Sequence, residues 1–128
     1  KSIYEWFKNT KSKYEQKDFY KIYIDFPRDE LIKKINLRVS EMVDRGAISE
    51  VKKFIQLKVP RNKTASKAIG ISEIKEFLDK KIKISELIEK ISIKTRQYAK
   101  RQTTWGRGHM SDWNKIKSNS LNQFLKKI

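Results

Sequence analysis

Hydrophobic positions along this chain recur mostly at helical spacing, with one clear exception. Ser2-Ile3-Tyr4-Glu5 has the form of a capping box, and Ile3, Trp6 and Phe7 then give one apolar side to a short helix reaching about Lys11. Tyr20-Lys21-Ile22-Tyr23-Ile24-Asp25-Phe26 instead alternates with period two and is rich in β-formers. It is the one convincing strand in the pattern. A single strand leaves its backbone donors and acceptors unpaired, so an orphan strand over about 20–26 implies a sheet supplied by residues before Lys1.

After Pro27 the helical period returns. Arg28-Asp29-Glu30 open a helix with acid in its first turn, Leu31, Ile35, Val39 and Met42 form its buried stripe, and Gly46 suits a left-handed residue just past its end. Ser49 is placed to start a further helix with Val51, Phe54 and Ile55 inward, and Pro60 breaks it into a basic loop through about Lys63. A short helix over Thr64 to about Ile69 is interrupted at Gly70, and Ser72 restarts one carrying Ile74, Phe77 and Leu78. Ser85 is expected to cap the longest helix, which runs to about Trp105 with a seam of Ile84, Ile88, Ile91, Thr95, Tyr98, Gln102 and Trp105; Gly106 and Gly108 then end it. The remainder is a polar tail with a helical turn or two around Leu121, Phe124 and Leu125. The expected fold is mainly α, divided into residues 1–26 (helix and strand), 27–111 (helical part) and 112–128 (tail).

Charge changes this picture. The 128 residues carry 31 Lys and Arg against 15 Asp and Glu, a formal net charge of +16, which attracts polyanions and above all nucleic acid. A chain rich in Lys, Ile and Asn can also owe lysine to A/T-rich codons, so the arginines carry more information. Two windows contain no acid at all. Val51 to Ser72 holds Lys52, Lys53, Lys58, Arg61, Lys63 and Lys67; Lys90 to Ser111 holds Lys90, Lys94, Arg96, Lys100, Arg101 and Arg107. Elsewhere acids and bases alternate, as in the i,i+4 pairs Glu30/Lys34 and Glu41/Arg45. Arg96, Lys100, Thr103 and Arg107 form one stripe at spacings of four, three and four, suited to a phosphate backbone; the competing reading is a lysine-rich solvated face. Thr95, Gln102 and Thr104 fit either core hydrogen bonds or contacts to base edges and ribose.

Several chemistries drop out. With no cysteine there is no disulfide, thiolate zinc site or cysteine nucleophile. His109, the only histidine, has no second ligand at metal spacing and reads as an exposed loop residue without a role. Asp29/Glu30 and Glu86/Glu89 read as first-turn helix acids, and no G-x-x-x-x-G-K-S/T loop is present. No apolar run approaches a membrane span.

Thr95-Arg96-Gln97-Tyr98-Ala99-Lys100-Arg101-Gln102-Thr103-Thr104-Trp105-Gly106-Arg107 resembles the T-R-Q-x-A-K-R-Q-x-T-W-x-R run of the tRNA dimethylallyltransferases. Arg28, Leu31, Ile35, Arg38, Val39 and Met42 look like that family's R-x-x-L…R-I-x-x-R-V-x-x-M helix, with Lys34 where its second arginine stands. Gly46 with Glu50-Val51, Lys67-Ala68-Ile69-Gly70, Trp113 and Lys1-Ser2 follow further family elements in order. Ile71-Ser72 replace a tyrosine and a basic residue, Gly106 a large apolar one, and Thr103 an apolar one.

The resemblance implies the helical C-terminal portion of a P-loop-type α/β enzyme that moves a dimethylallyl group from dimethylallyl diphosphate to N6 of adenosine-37, beside the anticodon of tRNA. The strand would be a late strand of its parallel sheet, and the phosphate loop and general base would precede Lys1. Arg38 would hold the diphosphate, against the simpler expectation of an ion pair with Glu41 or Asp44. Lys67, Ala68, Ile69, Gly70, Ile71 and Ser72, together with Arg96, Lys100, Arg101, Gln102, Thr103, Thr104, Trp105, Gly106 and Arg107, would contact the tRNA anticodon stem-loop. The same resemblance implies Mg2+ for the whole enzyme with none bound by this piece, a cytoplasmic setting and a monomer, although the piece alone could self-associate through its unpaired strand. A stand-alone basic helical RNA-binding module without catalysis is the alternative.

Overall fold

The computed structural model of the chain describes residues 2–11 and 13–126, so the expectation attached to Lys1 falls outside the described residues. Helix α1 (Ile3–Asn9) opens with the expected box: the Ser2 N–H donates to Glu5 Oε2 at 3.0 Å and the Glu5 N–H to Ser2 Oγ at 3.2 Å. It ends at Asn9, where Thr10 Oγ1 donates to the Trp6 carbonyl at 2.7 Å, and its apolar residues Ile3, Trp6 and Phe7 are exposed rather than packed.

The strand is shorter than its alternating pattern and is not alone. β1 (Ile22–Asp25) pairs in parallel with β2 (Asn114–Lys117), in a register that sets Ile22 opposite Asn114 and Ile24 opposite Ile116. The Asn114 N–H donates to the Lys21 carbonyl at 3.0 Å, and Lys21 Nζ lies 3.6 Å from Asp112. This corrects the orphan-strand expectation: one edge of β1 is already occupied from within the tail. The pattern missed β2 because Asn114-Lys115-Ile116-Lys117 has one apolar residue; it is a strand because β1 offers it a ladder.

Helix α2 (Arg28–Asp44) starts where expected and buries Ile35, Val39 and Val43, with Leu31 and Met42 at the margin. Gly46, at φ +104°, closes it and directly precedes α3 (Ala47–Gln56), so Ser49 does not start that helix; its hydroxyl donates back to the Gly46 carbonyl at 2.7 Å. In α3 Val51 is buried and Phe54 half-buried, whereas Ile55, expected inward, is exposed because it falls on the outer side of this short helix. The expected 64–69 helix is a single 3-10 turn at Ala65–Lys67. Helix α4 (Ile71–Leu78) begins at Ile71 rather than Ser72, with Gly70 as its N-cap, where the Gly70 N–H donates to Glu73 Oε2 at 2.9 Å.

Helix α5 (Ile84–His109) is 26 residues long, or ~39 Å at 1.5 Å per residue. Its start is set by the Lys83 N–H donating to Glu86 Oε2 at 2.7 Å, one turn's worth of capping that Ser85 was expected to provide. Gly106 and Gly108 do not end it. Gly106 is buried, and a Cβ there would lie 2.8 Å from Tyr23 Cε2, so glycine lets α5 run against the β1 side chain. The core is formed by Ile35, Val39, Val51, Ile74, Leu87 and Ile91, one or two residues from each of α2 to α5. The buried side of α5 is therefore Leu87 and Ile91, then half-buried Thr95, Ala99 and Thr103, then Gly106; Ile84, Tyr98, Gln102 and Trp105 of the expected seam are exposed. Beyond β2 lies α6 (Leu121–Leu125), whose Phe124 ring sits 5.7 Å from Tyr20.

Candidate nucleic-acid interface

The C-terminal half of α5, the start of α2 and the end of β1 enclose a groove of about 590 Å³. Arg28 enters it from α2, and Arg96, Lys100 and Arg107 enter it from α5; Asp25, Phe26 and Leu31 complete the facing wall. None of these four cations has an ion-pair partner among the described residues. Lys34 Nζ lies 4.6 Å from the centroid of the Phe26 ring and adds charge at the rim. Four cations are held together here against one carboxylate, Asp25, and without an ion pair among the described residues, which stabilises nothing in the fold and suits an incoming polyanion. Arg28, read from the sequence as a helix opener, belongs to this group; its signal was an arginine one residue after Pro27, at the junction of strand and helix.

The threonines near the groove donate to the preceding turn: Thr95 Oγ1 to the Ile91 carbonyl at 2.8 Å, Thr103 Oγ1 to Ala99 at 3.1 Å and Thr104 Oγ1 to Lys100 at 3.0 Å. Their donors are thereby used and their lone pairs stay available as acceptors. Thr103 is half-buried against the α2 side, and Gln102 is exposed away from the groove.

The other end of the acid-free window is neutralised in space. Lys90 Nζ lies 2.6 Å from Glu76 Oε2, and Lys94 Nζ pairs with Glu73. Both acids come from α4, which the sequence window does not contain. The ion pair with Glu76 raises the Lys90 pKa. Burial alone would raise the pKa of Glu73, but hydrogen bonds from Lys94, from Ser72 Oγ and from the backbone of Glu73 and Gly70 outweigh it and hold the carboxyl below its ordinary 4.5. A depressed carboxylate pKa means that the unfolded state binds more protons at low pH. Its contribution is whole above pH 4.5 and is lost as pH falls through the lower folded value. Glu73→Gln is expected to lower stability by about 1–2 kcal/mol at neutral pH, less than for a fully enclosed pair because Lys94 is half exposed. In denaturant titrations the gap from wild type should narrow as the pH drops below 4.5; a gap independent of pH would contradict the assignment.

Not all the expected residues converge. Gly70 is buried against Ile91 and Ser72 Oγ lies 3.5 Å from Lys94 Nζ, so the Lys67–Ser72 segment lies beside the N-terminal half of α5. Lys67, Ala68 and Ile69 are exposed, and Ile71 packs on the core. At ~100° per residue, the Arg96, Lys100 and Arg107 stripe lies ~140° around the helix from Lys94, with Arg107 ~20 Å further along the axis. The loop and the groove thus face different directions. Tyr98, Arg101 and Trp105 share Lys94's side, within ~60° of it, and Arg101 sits 5.8 Å from the Tyr98 ring centroid. His109 is not a loop residue: it is the last residue of α5, stacked on Trp105. Arg38 lies outside the groove, exposed on α2 seven residues past Leu31 and so near the same face. It forms no ion pair with Glu41 or Asp44; Glu41 pairs with Arg45 at 3.4 Å.

The sequence profile of a family described as IPP transferase matches residues 1–109. A tRNA dimethylallyltransferase of Pelagibacter ubique is 48% identical over 127 residues, covering 99% of this chain and 41% of the relative. One from Ehrlichia canis is 39% identical over 104 residues, covering 81% of this chain and 35% of the relative. The crystal structure of a full-length tRNA isopentenylpyrophosphate transferase from Bacillus halodurans superposes with a TM-score of 0.68 at 33% identity, covering 89% of this chain and 36% of that one. A tRNA delta(2)-isopentenylpyrophosphate transferase from Staphylococcus epidermidis gives a TM-score of 0.70 at 26% identity, covering 87% and 39%. The chain spans about two fifths of the length of these relatives or less.

Proposed function

Because the chain belongs to the IPP transferase family, we propose that it is the helical, tRNA-gripping portion of an enzyme that transfers a dimethylallyl group from dimethylallyl diphosphate to N6 of adenosine-37 in tRNA. The observation that carries this reading is the groove in which Arg28, Arg96, Lys100 and Arg107 gather without ion-pair partners among the described residues. A base must leave its stack to react, so the enzyme has to hold the distorted anticodon arm around it. Phosphate contacts along α5 supply that hold. The Lys67–Ser72 segment and the Arg101 side of α5 would meet a different part of the same folded arm.

The transfer itself needs two further things: an oriented adenine, whose exocyclic amine is a weak nucleophile, and neutralisation of the departing diphosphate. Arg38 is suited to the second task. It is exposed and has no ion-pair partner among the described residues, and a guanidinium binds phosphate oxygens in a fixed, permanently charged fork. It lies ten residues beyond Arg28 on α2, ~15 Å along the axis, so one helix can serve the polynucleotide at its start and the leaving group further on. Mg2+ belongs to the whole enzyme in this proposal. The groove is cationic with Asp25 as its one carboxylate, which does not fit a divalent ion that needs several oxygen ligands, and no step is routed through the metal on this chain. Among the described residues no helix is long and apolar enough to cross a membrane, and a cytoplasmic setting with tRNA is proposed.

The test uses the full polypeptide that carries this chain. Arg38→Ala is expected to lower prenyl transfer about 10²–10³-fold, the range for losing one donor aimed at developing charge, while tRNA affinity stays within about twofold. Equal losses in both would make Arg38 a structural or RNA-binding residue. RNA binding by the unsubstituted full polypeptide with no transfer of the dimethylallyl group would favour the non-catalytic module.

A further inference from the structure

Tyr98, Arg101, Trp105 and His109 follow one another along α5 at spacings of three, four and four, and all four are exposed. An indole is the largest apolar side chain a helix can carry, and an exposed one offers a broad ring face to a ligand. Trp105 is instead 55% exposed. It is nevertheless held. The His109 ring lies 4.5 Å from it, 12° from parallel, and His109 Nδ1 is itself tied to the Trp105 carbonyl at 2.9 Å. A planar ring has two faces. His109, one turn later, covers one of them. The residues that share a shallow depression with Trp105, namely Gln97, Lys100, Arg101 and Thr104, all precede it, which leaves the second face toward that depression.

We infer that Trp105, backed by His109, is a stacking platform for one unpaired nucleobase of the bound RNA, with Lys100 and Arg101 placed for its flanking phosphates. The inference rests on the RNA-gripping function proposed above and adds the ligand class of this patch and a residue, His109, outside the expected set. Every nucleobase presents a π-face, so an aromatic platform beside cations binds single-stranded nucleotides with little demand on sequence. The depression, about 480 Å³, is bounded by an amide at Gln97 and a hydroxyl at Thr104 whose proton is already donated to the Lys100 carbonyl. Those groups give a stacked base polar edges to meet, Gln97 as donor or acceptor and Thr104 as acceptor. His109 is a positioning residue: it fixes the indole plane before RNA arrives, which removes the cost of ordering a free side chain on binding.

The experiment uses the full polypeptide and anticodon-arm RNA hairpins carrying 2-aminopurine at one loop position at a time, with anisotropy and 2-aminopurine emission read in the same samples. One loop position should be quenched on binding. Trp105→Leu should abolish that quench and weaken binding about tenfold. His109→Ala should reduce the quench, and His109→Phe, which keeps a ring against the indole, should restore it. Hairpin bound by wild type with no quench that depends on Trp105 overturns the platform while leaving the RNA-gripping function intact. Equal quenching in His109→Ala and wild type overturns the role of His109. No bound hairpin by anisotropy overturns the function and the platform together.

Discussion

Leu87→Ala is expected to destabilise the fold by about 3–5 kcal/mol, a large share of the margin of a domain stable by about 5–15 kcal/mol. Leu87 is 0% exposed and is enclosed with Ile35, Val39, Val51, Ile74 and Ile91, where α5 meets the other three core helices. Truncation removes the transfer free energy of the side chain. It also leaves a cavity that neighbours on four rigid helices cannot fill. Ile84→Ala, one turn earlier on a residue 43% exposed, is expected to cost under about 1 kcal/mol. Urea denaturation of the two variants checks both figures, with a large drop in midpoint for Leu87 and a small one for Ile84. Equal losses would put the seam of α5 back where the hydrophobic pattern suggests.

That pattern placed the helix itself well and rotated its buried side. The alternation of four and three over Ile84, Ile88, Ile91, Thr95, Tyr98, Gln102 and Trp105 follows the large side chains, whereas α5 is buried along Leu87, Ile91, Thr95, Ala99, Thr103 and Gly106. Small residues are what the C-terminal half needs, since α2 and β1 approach closely there and Tyr23 occupies the space a Cβ on Gly106 would take. Hydropathy registers the bulk of a residue and is blind to the absence of bulk. The same blindness hid the platform: Tyr98 and Trp105 look like core by size and are exposed.

Local signals were legible wherever a backbone constraint forces a residue type. Pro27 and the acids after it mark the start of α2, Gly46 at φ +104° marks its end, and Leu121, Phe124 and Leu125 mark α6. The Ser2/Glu5 box was read correctly for the same reason. Capping by Glu73 and Glu86 through backbone N–H groups was not, because the capped residues are Gly70 and Lys83, which carry no acceptor of their own to notice. Strand β2 has almost no pattern and exists through its partner. Charge segregation pointed to α5 but overcounted it, since the acids that neutralise Lys90 and Lys94 sit on α4, 14 and 21 residues earlier.

Replacing Arg96, Lys100 and Arg107 together by glutamine is expected to weaken binding of an anticodon-arm hairpin about 10²–10⁴-fold, from loss of three charge-assisted contacts worth roughly 1–2 kcal/mol each after water takes back part of the gain. The fold should be unchanged, because none of the three is in an ion pair among the described residues or in the buried core. Lys90 and Lys94, already satisfied by Glu76 and Glu73, serve as the control, and Lys90→Gln with Lys94→Gln should leave affinity within a few-fold of wild type.

The slope of log affinity against log salt, measured for wild type and the two glutamine variants in the full polypeptide, tests most directly whether this groove holds a phosphate backbone. Each phosphate neutralised contributes about 0.7–0.9 to that slope. The Arg96, Lys100 and Arg107 variant should therefore be shallower than wild type by about 2–3, and the Lys90 and Lys94 variant nearly parallel to it. An unchanged slope in the first, or an equal fall in the second, would mean that the groove between α2 and α5 does not carry the RNA.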